Sequence, residues 1–165
     1  MSIIFNYWIK IIFLLSITAI GSALIAEYFF DLAPCKMCLK QRHPYYAIIT
    51  LIIIFYLFGL TKKIYLLILF ELSTIYGLFY SLWHVGVEKK ILAGPESCSG
   101  TLSKITSLKS LKEQITNQAI VSCTDITWTI LGLSAASINS LLLLFILIFN
   151  SIFILRNFYD SQKNS

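Results

Sequence analysis

Four long stretches of mostly apolar residues alternate with short polar segments along the chain. A helix needs about 20 consecutive apolar residues to cross a bilayer. The four stretches predict membrane spans at residues 9–30, 44–60, 64–87 and 126–150. The last stretch stays uncharged as far as Leu155, so we expect this helix to tilt or to emerge into water. The pattern predicts an all-α integral membrane protein, a bundle of four transmembrane helices that forms one domain over residues 1–165.

The composition supports a membrane protein. Of the 165 residues, 58% are hydrophobic and 13% are charged, and the mean hydropathy is +0.80. A soluble domain of this length has no interior large enough to bury so much apolar surface. The net charge is +5, but the basic residues are scattered, so we expect no nucleic-acid binding. The first apolar stretch is too long for a cleavable signal peptide and is expected to remain as an anchor.

All four cysteines lie in two of the segments between the predicted spans. Four crossings place both termini on one face of the membrane and the loops 31–43 and 88–125 on the other. The cysteines of these loops are Cys35, Cys38, Cys98 and Cys123. Cysteines that only fill the core would favour the apolar stretches. Their segregation indicates a redox function.

Charge and redox chemistry predict opposite sides of the membrane for the two cysteine-bearing loops. The cysteine-bearing loops carry eight Lys and Arg residues, and the termini and the short turn carry five. The positive-inside rule therefore favours a cytoplasmic position for the cysteines. Disulfides form outside the cytoplasm, where thiols are not kept reduced. We expect both cysteine loops to be extracytoplasmic on this redox ground.

Apolar residues recur at helical spacing among lysines over residues 101–120 in the second loop. This spacing predicts a short amphipathic helix that lies on the membrane surface. A solvated helical loop is the alternative interpretation.

The segment that begins at Pro34 contains a Cys-x-x-Cys motif formed by Cys35 and Cys38. Two cysteines at this spacing form a small, reducible disulfide, and one of them commonly has a lowered pKa. Arg42 lies four residues after Cys38, so on a helix its guanidinium would lie near that sulfur and favour the thiolate. Pro44 leaves two options. The helix begins at Pro44, or it begins earlier and kinks.

These motifs resemble the DsbB family of disulfide bond formation proteins. The Pro-Cys-x-x-Cys-x-x-x-Arg stretch lies between the first two of four spans, and the second cysteine pair lies between the last two. The similarity also includes the segments 83–88, 94–98, 121–123 and 128–133. The chain resembles the shorter members of that family.

The resemblance implies an enzymatic function as well as a fold. It implies that Cys98 and Cys123 form a disulfide that oxidises a soluble DsbA-like periplasmic protein of the thioredoxin fold. Cys98 would form the mixed disulfide, and Cys123 would then exchange with the Cys35–Cys38 pair. The electrons would pass through Cys38 to a membrane quinone, ubiquinone or menaquinone.

The resemblance also implies where the quinone and the protein lie. Arg42, His84 and Cys38 are the candidate quinone-binding residues. The protein would lie in the bacterial inner membrane as a multi-pass protein, with lipid as its solvent and with its cysteine loops facing the periplasm. For His84, a hydrogen-bonded anchor at the membrane interface is the alternative role.

Three other functions are compatible with four cysteines in a membrane protein. The cysteines would form structural disulfides in a non-enzymatic adaptor, or they would bind zinc as thiolates. The wide spacing of Cys98 and Cys123 disfavours zinc, so we expect no metal. An enzyme that resembles vitamin K epoxide reductase is the third alternative, but that family carries its Cys-x-x-Cys in a late span.

One ionisable residue, Glu71, falls inside a predicted span. Such a residue is by default a candidate for function, because burying its charge in lipid is costly. We expect Glu71 to be protonated or to contact Lys10, and we consider a proton relay as the alternative.

Overall fold

A computed structural model of the chain describes residues 2–59, 63–95, 122–124, 126, 129–130 and 132–163. The described elements are four helices and one pair of short antiparallel strands. Their bounds are α1 Ser2–Phe29, α2 Lys36–Leu57, α3 Lys63–Glu88, β1 Thr129–Ile130, β2 Leu133–Ser134 and α4 Ala135–Lys163. In the hairpin, Thr129 pairs with Ser134 and Ile130 pairs with Leu133.

Three of the four helices are long and apolar enough to cross a membrane. Their apolar parts are Tyr7–Phe29, Ile64–Glu88 and Ala135–Asp160. The prediction of a helical membrane fold is therefore confirmed. For α2 a membrane crossing stays a prediction, because its first turns carry charged residues and only the part after Pro44 is continuously apolar.

The core of the bundle lies between all four helices. α3 packs against both α2 and α4, and α1 packs against α2. Fully buried apolar side chains from all four helices meet there, and they include Ile12, Ile48, Leu67, Phe70, Leu143 and Ile146. Many other apolar side chains of the same helices are exposed on the outside, where lipid is their natural solvent.

The second helix begins earlier than the predicted span. The structure starts α2 at Lys36, so most of the predicted loop 31–43 is helical. Cys35 has extended backbone angles and its Sγ accepts a hydrogen bond from the backbone N–H of Cys38 at 3.2 Å, which caps the helix. Of the two options that Pro44 left open, the structure has the earlier start, because this cap sets the beginning of the helix and Pro44 lies inside it. The membrane span at residues 44–60 stays a prediction.

The fourth helix begins later than predicted. A hairpin occupies part of the region where a span was expected from residue 126, and α4 begins at Ala135. The hydroxyl of Ser134 accepts a hydrogen bond from the backbone N–H of Ser137 at 3.2 Å, which is the usual geometry of an N-terminal serine cap. Gly132 in the connecting turn has φ +79, which favours glycine. The predicted interfacial helix at 101–120 lies outside the described residues.

A buried polar cluster joins α1, α3 and α4 at the end of the bundle away from the cysteines. The carboxylate of Glu71 accepts hydrogen bonds from Asn150 Nδ2 at 2.6 Å and from the hydroxyl of Ser151. Trp8 donates its indole N–H to Asn150 Oδ1 at 3.4 Å. Lys10, the predicted partner, places its Nζ 5.7 Å from the centre of the Tyr7 ring instead. Glu71 is therefore held by α4.

Two glycines in the helices provide a test of the packing. A Cβ atom at Gly77 would lie 2.6 Å from Cγ of Pro44 on α2, whereas a Cβ at Gly21 would meet nothing within 4 Å. The proline ring cannot rotate away, so we expect Gly77→Ala to lower the free energy of unfolding by about 1–3 kcal/mol. Gly21→Ala is expected to leave it unchanged or raise it by up to about 1 kcal/mol. Denaturant titration in detergent micelles measures both, and equal effects would contradict the packing of α2 on α3.

Candidate functional site

The Cys-x-x-Cys motif lies at the start of α2, where the helix cap brings the two sulfurs together. Cys35 is the capping residue and Cys38 is in the first turn. Their Sγ atoms are 2.7 Å apart, and both cysteines are free thiols. Cys35 is buried and Cys38 is partly exposed. This state corresponds to the reduced form of the pair.

The structure places Cys123, from the second cysteine loop, next to this pair. The Sγ atoms of Cys35 and Cys123 and a ring nitrogen of His84 all lie within 4.8 Å of one another. Cys123 is buried and disulfide-bonded. Its predicted partner Cys98 lies outside the described residues, so the Cys98–Cys123 pairing stays a prediction. Two distant parts of the chain thus meet at one point, within a small movement of sulfur–sulfur contact.

The hydrogen bond between the two thiols shifts their pKa values in opposite directions. The hydrogen bond from the Cys38 thiol lowers the pKa of Cys35 to about 4, and His84 contributes in the same direction. The hydrogen bond to Cys35 raises the pKa of Cys38, as does burial, while the charge of Arg42 lowers it only weakly. Cys35 is therefore the thiolate of the pair in this state. This differs from the sequence prediction, which favours a thiolate at Cys38.

His84 lies at the end of α3 and contacts both cysteine segments. Its Nε2 is 3.6 Å from Cys35 Sγ, and the residue also hydrogen-bonds the backbone of Cys123. Its other ring nitrogen, Nδ1, is 2.7 Å from Nε2 of Gln41. Glu88, one turn further along α3, has a carboxylate oxygen 3.9 Å from His84 Nε2. His84 is thus part of the sulfur cluster and has polar neighbours at both ring nitrogens.

Arg42 lies on the side of α2 that faces α1. Its guanidinium donates to the carboxylate of Glu27 at 2.5 Å and to the carbonyl oxygen of Ala23 at 3.5 Å. Both side chains of the ion pair are mostly buried. The sequence singled out Arg42 but not its partner Glu27.

A cavity of about 200 Å³ opens beside the cysteines between α1, α2 and α4. Its wall on α1 is made of small residues, among them Ala19, Ala23 and Ala26. The polar and reactive groups that line it are Cys35, Cys38, Gln41, Arg42, Tyr45, His84, Glu88 and Asn139. A flat, mostly apolar molecule with a few polar atoms fits such a surface.

Four of these groups were not predicted from the sequence. They are Gln41, Tyr45, Glu88 and Asn139. Gln41 lies three residues after Cys38, so a helix that starts at Lys36 would have placed it near the cysteines. Asn139 is a polar residue inside an apolar stretch, which is a signal of a buried hydrogen bond.

The sulfur cluster contains groups that commonly bind soft metals. Cys35, His84 and Cys123 each offer one ligand atom. A cysteine binds zinc as a thiolate. Cys123 is in a disulfide and offers no thiolate, so in this redox state the three residues do not form a zinc site.

Comparison with known proteins agrees with this geometry. A family model described as "Disulfide bond formation protein DsbB" matches residues 6–153. The chain is 33% identical over 137 residues to "Uncharacterized protein RP370" of Rickettsia prowazekii (strain Madrid E), which covers 82% of this chain and 79% of that protein. No solved structure matches the chain significantly. The resemblance seen in the sequence is confirmed, and the chain belongs to the DsbB family of membrane proteins for disulfide bond formation.

Proposed function

We propose that this protein is a membrane thiol oxidase that takes electrons from a periplasmic DsbA-like dithiol protein and passes them to a quinone. The observation that carries the proposal is the cluster of Cys35, Cys123 and His84 within 4.8 Å. A relay between two cysteine pairs requires that a sulfur of one pair can attack a sulfur of the other. A purely structural pair has no need of a second pair beside it.

The proposed reaction begins at the second pair. The partner's thiolate attacks Cys98 of the Cys98–Cys123 disulfide, which forms a mixed disulfide and releases Cys123 as a thiolate. Cys123 attacks Cys35 of the oxidised Cys35–Cys38 pair, so a Cys35–Cys123 bond forms and Cys38 leaves with the electron pair. The second thiol of the partner releases Cys98, which attacks Cys123 and expels Cys35. The partner is now oxidised and the Cys35–Cys38 pair is reduced.

Quinone reduction then completes the cycle. A disulfide re-forms between Cys35 and Cys38, and the two electrons and two protons reduce the quinone to quinol. The cavity supports this step, because it opens beside Cys38 and has an apolar wall suited to a quinone ring. Arg42 supports it as well, since a permanently charged guanidinium can stabilise a reduced quinone oxygen. We propose Cys38, Arg42 and His84 as the quinone-binding residues.

The redox chemistry also supports a location. Disulfide exchange driven by quinone operates at the periplasmic side of the bacterial inner membrane. We propose that the cysteine-bearing end of the bundle faces the periplasm. A compartment reporter fused to either terminus tests the orientation, and a reporter active only in the periplasm would contradict it.

The direct test is an assay with purified protein in detergent, a soluble quinone and a reduced thioredoxin-fold dithiol protein. We expect loss of quinone absorbance, with one quinone reduced for each disulfide formed in the partner. No absorbance loss from a folded protein would contradict the function.

A trapping experiment tests the entry point. In Cys123→Ser, Cys98 is a free thiol, so the variant is mixed with the oxidised partner: the Cys98 thiolate attacks the partner's disulfide, and the partner's other cysteine leaves as a thiolate. We expect a mixed disulfide between Cys98 and the partner to accumulate, and non-reducing electrophoresis with peptide mass spectrometry detects it. Cys98→Ser is the matched control and should form no such adduct. An adduct through Cys123 instead would reverse the assigned order of the two cysteines.

A further inference from the structure

A chain of hydrogen bonds connects α4 to the reactive sulfur. The Tyr45 hydroxyl donates to Asn139 Oδ1 at 2.5 Å, and Asn139 Nδ2 donates to Gln41 Oε1 at 2.9 Å. Gln41 Nε2 lies 2.7 Å from His84 Nδ1, and His84 Nε2 lies 3.6 Å from Cys35 Sγ. Gln41 is buried and Asn139 is partly buried. The proposed thiol oxidase mechanism assigns no role to Tyr45, Asn139 or Gln41.

A serine outside the chain fixes its direction. The hydroxyl of Ser81 donates to the carbonyl oxygen of Ala136 at 2.9 Å, so its oxygen is left to accept from Asn139 Nδ2 at 3.2 Å. The amide nitrogen of Asn139 therefore faces Ser81 and Gln41, and its oxygen faces Tyr45. Because Asn139 occupies the carbonyl oxygen of Gln41, the amide N–H of Gln41 must point at His84.

The direction of the chain decides which nitrogen of His84 carries the proton. Nδ1 accepts from Gln41, so in the neutral imidazole the proton lies on Nε2. Both neighbours of Nε2 are acceptors, since Cys35 is the thiolate of its pair and Glu88 presents a carboxylate oxygen at 3.9 Å. The donor beside Nδ1 and the acceptors beside Nε2 thus favour the same tautomer.

We infer that Gln41 and Asn139 are positioning residues that hold His84 in the Nε2–H tautomer, so that this N–H donates to the Cys35 thiolate. The inference deepens the proposed function, on which it rests. Cys35 is expelled with the electron pair when Cys98 attacks Cys123, and a thiolate stabilised by a hydrogen bond is a better leaving group. The opposite tautomer would present a lone pair to the sulfur and hinder the same step.

The first test reads the tautomer directly. The protein has two histidines, His43 and His84, so selective ¹⁵N labelling of histidine gives two sets of imidazole signals. The set that remains in His43→Gln belongs to His84. We expect the ¹⁵N shifts of the wild-type protein at neutral pH to show a proton on Nε2. A proton on Nδ1 would overturn the inference without the need for any variant.

The second test reads the reactivity of Cys35 in Gln41→Leu and Asn139→Leu. The rate of alkylation of reduced protein by iodoacetamide is measured against pH. Trypsin cleaves after Lys36 and separates Cys35 from Cys38 for mass spectrometry. Cys35 is held as a thiolate by its donors, so loss of the His84 donor should move its alkylation midpoint to higher pH, by about one unit. Besides His84, the titratable and charged groups around the site are Cys38, Tyr45, Glu88, Arg42 and its ion-pair partner Glu27, all unchanged in these variants.

A matched control separates this role from a structural one. Thr74→Val removes a buried hydroxyl that donates to the carbonyl oxygen of Phe70, within α3 and outside the hydrogen-bond chain. We expect it to keep the wild-type tautomer and midpoint. An unchanged tautomer and midpoint in folded Gln41→Leu would overturn the inference, and Asn139→Leu provides the same test if Gln41→Leu does not fold. Neither the tautomer nor the alkylation midpoint is measured with quinone or partner. Failure of the oxidase assay would therefore leave this inference standing, and failure of this inference would leave the proposed oxidase function standing.

Discussion

Cys35→Ser is expected to reduce the rate of thiol-dependent quinone reduction by on the order of 1000-fold or more, with the protein still folded. Cys35 is the sulfur of its pair that lies beside both Cys123 and His84. A serine hydroxyl at this position keeps the size of the side chain but cannot form a disulfide. The electrons of the partner then have no covalent route to the Cys35–Cys38 pair.

The measurement is quinone absorbance against time with saturating reduced partner, together with thermal unfolding in the same detergent. Lys36→Ala is the matched control, because Lys36 lies between the two cysteines and is exposed. It should retain turnover within about twofold, as is usual for a surface substitution of small energetic effect. Substantial turnover by Cys35→Ser would show that electrons reach quinone without this sulfur. Loss of folding instead of turnover would favour a structural disulfide.

Arg42→Ala is expected to raise the KM for quinone by about 10- to 100-fold, the loss expected for one or two charge-assisted hydrogen bonds. The guanidinium lines the cavity beside Cys38 and gives that wall a permanent positive charge. A reduced quinone oxygen gains more from this charge than the neutral quinone does, so turnover at saturating quinone should fall as well.

Glu27→Gln provides the comparison for this variant. It removes the carboxylate that holds Arg42 at 2.5 Å but leaves the guanidinium in the cavity. If Arg42 acts on the quinone, Glu27→Gln should retain most of the quinone affinity that Arg42→Ala loses. If Arg42 only pairs with Glu27 to join α1 to α2, the two variants should lose stability alike and leave the KM for quinone unchanged. Initial rates over a range of quinone concentrations distinguish the two outcomes.

The apolar stretches predicted α1, α3 and α4, because a span of lipid-facing helix requires a run of apolar residues whatever its packing. The start of α2 could not be read from apolar content. It depends on the sulfur of Cys35 acting as a cap, which is not one of the usual capping side chains. The hairpin before α4 was missed for a related reason, since strands of two residues have no periodicity to detect.

The cysteines were singled out by their spacing and their segregation into two loops, and His84 by the resemblance to the DsbB family. Their mutual distances were not, because residues 35, 84 and 123 lie far apart along the chain and meet only through tertiary packing. Gln41 and Asn139 were missed because their significance depends on which group each one faces. A sequence shows that an amide is present but not the direction in which it donates.

Asn150, near the middle of α4, has a consequence for the reaction site. Asn139 and Asn150 are eleven residues apart, close to three full turns, so they project from nearly the same side of the helix. Rotating α4 about its axis would strand Asn150 and Glu71 in hydrocarbon without partners, which lipid strongly penalises. The contact between Glu71 and Asn150 thus fixes the rotation of α4 about its axis. That rotation determines the direction in which the Asn139 amide points toward Gln41.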